Sequence, residues 1–218
     1  MPDELEALHR SDQRVVRTVD SLTDAEWAGA SLLPGWTRAH VVAHLALNAE
    51  GFAGALEALA EGEPRPIYPS EEARDAGIEE LAVQDHGVIR ERFFAATQHF
   101  RNVAEELPDE IWEGTVLRVP EGPEWPARFL VGARRREVEI HHADLGLAYT
   151  RQDWPSDFCE ALLDHAIKDR AFAVLATDLG RTWGSGTPTT QGTAADLGWW
   201  LTGRGRGEGL TGDLPDLG

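Results

Sequence analysis

The stretch RRREVEIHHADLG, residues 134–146, places two glutamates, two adjacent histidines and an aspartate within a few turns of chain. On a helix, residues four apart lie about 40° apart around the axis and one turn apart along it. Glu137 and His141 are such a pair, so their side chains stack on one face, with Leu130 and Ala133 preceding them there. Arg134 and Asp144 fall slightly to one side. Glu139 and His142 also have workable spacing but occupy a different face. A carboxylate and an imidazole on one helix face supply two metal ligands, and a third must come from a facing helix. The run therefore points to a helical bundle.

Three other long amphipathic segments precede it. DELEALHRSDQRVVRTVDSL (3–22) carries Leu5, Leu8, Val15, Val16 and Val19 at helical spacing. After the turn SLLPGW, a second helix is predicted from Thr37, a good N-cap, to a stop at Gly62 and EPRP. A third starts behind the Ser70 cap and reads as helix to Leu107, before Pro108. WEGTVLRVPEGPEWP (112–126) reads as a loop or short hairpin, and the fourth helix runs from about Ala127 to Ala148. Four long amphipathic segments in succession read as an antiparallel four-helix bundle over 1–150.

The texture changes after residue 150. Ser156 is expected to cap a helix through DFCEALLDHAIKDR, and AFAVLATD, RTWG and TPTTQGT are short and β-leaning. TAADLGWWLTGR returns to helix before the glycine-rich tail GRGRGEGLTGDLPDLG. Residues 151–218 form a small α+β domain, which gives the whole chain an α+β class.

With 20 Lys plus Arg against 38 Asp plus Glu, the formal net charge is −18. That excess argues against nucleic acid and against an anionic membrane surface as partners. An anionic small molecule would need local positive charge against the protein's own field. No run approaches a membrane span, MPDELEALHR has no apolar leader, and one cysteine excludes an internal disulfide, so the cytoplasm is the expected compartment. Cys159 reads as a buried small residue, Trp199 and Trp200 as packing residues, and Arg134, Arg135 and Arg136 as an exposed, paired face. His86, His99 and His165 have no spaced partners.

The missing ligand lies in HVVAHLALN (40–48), where His40, His44 and Asn48 recur every four residues. Helical geometry does not choose between His40 and His44. A His-Glu-His set leaves one zinc position open, as catalytic rather than structural sites do, and such donors also suit other divalent ions.

Four blocks then carry a resemblance: LLPGWTRAHVVAHLALNAEGF (32–52), IYPSEEARDAGI (67–78), REVEIHHADLG (136–146) and GRGRGEGLTG (203–212). In this order they resemble the mycothiol-dependent maleylpyruvate isomerases, within the wider group of DinB-like metal-binding bundles, many of them thiol-dependent transferases. The resemblance implies a DinB-like four-helix domain followed by a small α/β domain. It implies His44, Glu137 and His141 as ligands of Zn²⁺ or another divalent metal, and Arg204 as the functional arginine, with Arg206 a neighbouring basic alternative. It further implies mycothiol as cofactor and isomerisation of maleylpyruvate to fumarylpyruvate in gentisate degradation. In that reaction a thiolate adds to the double bond, the resulting single bond rotates, and the thiolate leaves. The metal either ionises the thiol or polarises the substrate carbonyl. Arg204, between glycines, is the expected group for a carboxylate of the dianionic substrate and for the cofactor. Asn48, one turn beyond His44, is placed to hydrogen-bond substrate or thiol. The same blocks also fit another zinc- and mycothiol-dependent S-transferase, or a non-catalytic metal-binding module.

Overall fold

The computed structural model describes residues 2–217 and divides into two compact units, Met1–Gly146 and Leu147–Gly218. In the first, the elements are α1 (Pro2–Asp20), α2 (Asp24–Ala28), α3 (Arg38–Ala60), α4 (Glu71–Ala82), α5 (His86–Glu106), a 3₁₀ turn, the strands β1 (Thr115–Leu117) and β2 (Glu124–Pro126), and α6 (Phe129–Asp144).

Helices α1, α3, α5 and α6 make the bundle: α3 packs on α5 and α6, and α1 on α5 and α6. Helix α3 is apolar nearly all round, burying Val41, Val42, Leu45, Phe52 and Leu56, so it is the interior member. Helix α1 is amphipathic instead and turns Leu8, Val15 and Val19 inward. Thr37 and Ser70 are the N-caps expected of them, and Gly62 follows α3 with φ +75°.

The third predicted helix is two helices. Val83 leaves helical geometry at φ −96°, ψ 1°, and Asp85 starts α5 by accepting a 2.8 Å hydrogen bond from the Gly87 N–H. Asp is a poor interior helix residue but a strong cap, and that local preference overrides the continuous apolar pattern. The loop 112–126 contains an antiparallel hairpin, Thr115 opposite Pro126. Its outer strand is extended by the chain at Ile67 and Tyr68, whose N–H groups donate to Leu117 and Arg118 at 2.8 and 2.9 Å. That attachment holds Tyr68 and Arg118 against the bundle.

The second unit contains a 3₁₀ turn, α7 (Ser156–Ala166), β3 (Ala173–Ala176), β4 (Arg181–Gly184), β5 (Thr190–Gly192), α8 (Ala194–Leu201) and β6 (Thr211–Gly212). Its sheet has the order β4-β3-β5-β6, with β3 and β5 parallel and the outer pairs antiparallel. Helices α7 and α8 pack together through Leu162, Leu163, Leu197 and an aromatic cluster in which Trp154 meets Phe158 at 5.3 Å and Trp199 at 5.8 Å. Cys159, Trp199 and Trp200 are buried, as expected. Ser156 is not the N-cap. Pro155 takes that place and Ser156 is the first helical residue, because extended geometry at the cap suits a proline that needs no N–H partner. No helix among the described residues is long and apolar enough to cross a membrane.

Candidate metal centre

Helices α3 and α6 bring His44, Glu137 and His141 together. One ligand atom from each lies within 4.8 Å of the other two, and no other such group of three occurs among the described residues. Glu137 Oε2 is shared: His44 Nε2 lies 2.8 Å from it and His141 Nε2 3.3 Å. Ligands of a tetrahedral ion bonded at about 2.0–2.1 Å are roughly 3.3 Å apart, close to the two separations from Glu137 Oε2, so the donor set suits a zinc-sized ion. The two imidazoles meet edge to face, with centroids 4.6 Å apart and planes at 77°. Trp36, on the turn before α3, closes one side, its ring 5.9 Å from that of His44.

Protonation follows from this packing. Burial, with His141 close by, pulls the His44 pKa down to about 4, so its ring is neutral. Arg74 Nη2, a donor only, sits 3.3 Å from His44 Nδ1, which puts the single ring proton on Nε2, pointing at Glu137. For Glu137, burial favours the neutral acid, but hydrogen bonds from His141 and His44 win and hold the carboxyl well below its usual range. His141 is also pulled down by burial, yet Asp144 and Glu137 raise it above the usual imidazole value. Asp144 is fully buried, and its Oδ2 lies 2.9 Å from His141 Nδ1, a close charge contact whose alignment falls short of a hydrogen bond.

The geometry separates the two α3 histidines. His40 Nδ1 turns back to the helix start, 3.3 Å from the Thr37 N–H and 2.7 Å from Thr37 Oγ1, while its Nε2 faces Glu79 at 3.4 Å. It is a capping group, and His44 points at the carboxylate. The other α6 pair is also spoken for. Glu139 accepts from Ser11 and Arg14, both at 2.5 Å, and His142 Nε2 meets Thr18 Oγ1 at 2.7 Å. Both residues are buried against α1 rather than solvated.

The arginine run is not an exposed face. Arg134 is completely buried, donating to Leu45 O at 2.8 Å, Asn48 Oδ1 at 2.9 Å and Thr97 Oγ1 at 3.4 Å, and Arg135 and Arg136 are half-buried. Three consecutive helical residues sweep about 200° of the helix surface. Because α6 packs on both α1 and α3, little of that arc reaches solvent.

Beside the triad lies a cavity of about 70 Å³, lined by His44, Asn48, Tyr68, Arg74, Arg118, Arg136 and Glu137 among others. The Asn48 amide donates to Tyr68 Oη at 3.3 Å while accepting from Arg134, which fixes which end of the amide faces which wall. Sequence reasoning missed Trp36, Tyr68, Arg74, Arg118 and the role of Asp144. Trp36, Tyr68 and Arg74 lie within two of the quoted blocks, which was the only signal for them, and Arg118 sits on a hairpin with no helical register to read.

In the second unit, Arg204 lies between Gly203 and Gly205, both at positive φ (78° and 68°). Its guanidinium sits 5.8 Å from the Trp199 ring centre and Nη1 donates to Thr202 O at 3.0 Å. Arg206 is exposed, and its backbone N–H donates to Glu208 at 2.8 Å.

A four-helix bundle with two histidines and a glutamate converging from facing helices defines the class of metal-site bundles. Within it, the chain belongs to a particular family: residues 8–146 match the family model for the mycothiol maleylpyruvate isomerase N-terminal domain. Two solved structures are similar across the whole length, those of a mycothiol-dependent maleylpyruvate isomerase and of its histidine-to-alanine mutant. Each has a TM-score of 0.88 and 25% identity, and the alignment covers 98% of this chain and 94% of that one. No curated protein matches the sequence.

Proposed function

We propose that this protein is a mycothiol-dependent isomerase that converts maleylpyruvate to fumarylpyruvate, working in the cytoplasm as the single cysteine suggests. The observation that carries the reading is the convergence of His44, Glu137 and His141 in a chain that belongs to this family. Similarity to solved isomerase structures over 98% of the chain, both units included, supports it further.

His44 Nε2, Glu137 Oε2 and His141 Nε2 would hold a divalent ion, for which zinc suits the donors. When bound, the ion supplies the charge that keeps a thiol ionised, and mycothiol supplies the nucleophile whose reversible addition makes the C=C bond rotatable. The chain's own residues prepare for this. Glu137 is already ionised, and His44 already neutral, so two of the three ligands lose no proton charge state on loading. The His44 proton must move from Nε2 to Nδ1, which ends the donation from Arg74. Asp144 then accepts from His141 Nδ1 and fixes that ring. Trp36 keeps water off the His44 face. Asn48 and Tyr68 offer an amide and a hydroxyl to substrate or thiol from the cavity wall. Arg204, stacked on Trp199 and flanked by glycines that suit a close backbone approach, is assigned an anionic group of substrate or cofactor.

The test is a turnover assay on the zinc-loaded protein. Maleylpyruvate should be isomerised only with mycothiol present, and His44→Ala should lose both metal and activity. Absence of turnover with mycothiol and zinc supplied would remove the isomerase, and a transferase of the same family would take its place.

A further inference from the structure

We propose that Arg136, flanked by Arg74 and Arg118, forms an anion subsite in the cavity beside the triad and there binds a carboxylate of a small dicarboxylate ligand. The assignment of that ligand as the isomerase substrate rests on the proposed function; the subsite itself rests on the cavity.

Three guanidinium groups line this one small space in a protein whose formal net charge is −18. Two of them are neutralised on their outer side. Arg74 pairs with the exposed Asp75 at 2.6 Å and Arg118 with Glu71, and both cations stack over the Tyr68 ring, at 5.9 and 5.8 Å. Arg136 differs, having neither a hydrogen bond nor an ion pair to any described residue although it is half-buried. The adjacent Glu137 carboxylate does not serve it, being already committed to both imidazoles. A desolvated cation without a partner is costly, and an anion entering the cavity would remove that cost. A planar guanidinium matches a carboxylate bidentately, whereas Lys would meet it as a point charge. The cavity, about 70 Å³, is several times the minimum that holds one water, and so fits the head of a small acid. His44 and Glu137 line the same cavity, so an acid anchored on Arg136 lies beside two of the metal ligands.

The experiment uses maleate as probe and its uncharged diamide as control, titrated calorimetrically into the zinc-loaded full chain. Wild type should bind maleate and discriminate against the diamide. Arg136→Met should weaken maleate at least tenfold with unchanged zinc content and thermal unfolding, and leave the diamide unaffected. Arg136→Lys should recover part of the loss. Arg136→Gln stands in should the methionine variant fail to fold. With maleylpyruvate as substrate, the same variants should raise KM at least tenfold while kcat changes less. Equal maleate affinity in wild type and variants, or no maleate binding by wild type, overturns the subsite. Failure of the isomerase reading would instead appear as absent turnover in wild type, with the maleate titrations still deciding the role of Arg136.

Discussion

Replacing Asp144 by Asn should weaken zinc binding without unfolding the bundle. Asp144 is fully buried and its carboxylate lies 2.9 Å from His141 Nδ1, while the same imidazole offers Nε2 to the ligand cluster. In the loaded site His141 must keep its proton on Nδ1, and a buried carboxylate is the strongest acceptor for it. An amide keeps the shape but loses the charge. Hydrogen bonds to charged groups are worth about 1.5–3 kcal/mol and neutral ones about 0.5–1.5, so the substitution costs about 1–2 kcal/mol. At 1.36 kcal/mol per tenfold this is roughly a five- to thirtyfold loss of zinc affinity, inside the range typical of such outer ligands. The loss should depend on pH. Asp144 also raises the proton affinity of His141, so the Asn variant holds the competing proton less tightly. The deficit should therefore be full at pH 8 and smaller at pH 6. Competition with a chromophoric chelator at both values measures it, with circular dichroism to confirm the fold. Unchanged affinity at pH 8, or a deficit that grows on acidification, would refute the assigned role of Asp144.

Further outcomes follow from other residues. His40→Ala should retain zinc and lose only a helix cap, about 1 kcal/mol in urea unfolding, whereas His44→Ala should abolish stoichiometric zinc by elemental analysis. Asp12 is buried with Oδ1 unpartnered, and burial raises its pKa from 3.8 to about 7 against the pull of Arg134 and Arg101. The folded state thus holds the proton more tightly, so the contribution is full below about pH 4 and is lost as pH rises through about 7. That amounts to roughly 4 kcal/mol, which Asp12→Asn should abolish as a pH-dependent loss in unfolding at fixed metal content. Arg134→Met should destabilise by about 3–5 kcal/mol in the same assay, since it removes buried hydrogen bonds to the Leu45 carbonyl, Asn48 and Thr97 and leaves Asp12 with Arg101 alone of its two cations.

Much of the bundle was legible because helical period and capping are local properties. Thr37, Ser70 and the apolar spacing of α1 needed no partner to be read. The break at Asp85 was hidden for the same reason: the apolar pattern continues through it, and only the hydrogen bond to Gly87 reveals a new start. The small unit could be read only as a mixture of short strands and helices. Its strand order depends on pairing between residues such as Val174 and Thr190, far apart in sequence.

At the site, RRREVEIHHADLG alone established that Glu137 and His141 share a helix face, because a 3.6-residue repeat fixes angular position whatever surrounds it. It left open which α3 histidine faces them, whether Glu139 and His142 compete, and whether the arginines are solvated. Those are questions of which neighbouring helix each face meets. The packing of α6 between α1 and α3 answers them: His40 caps its own helix, α1 takes Glu139 and His142, Arg134 enters the core, and Arg136 is left beside the triad. Side-chain periodicity belongs to the chain, but environment and charge partner belong to the assembled helices.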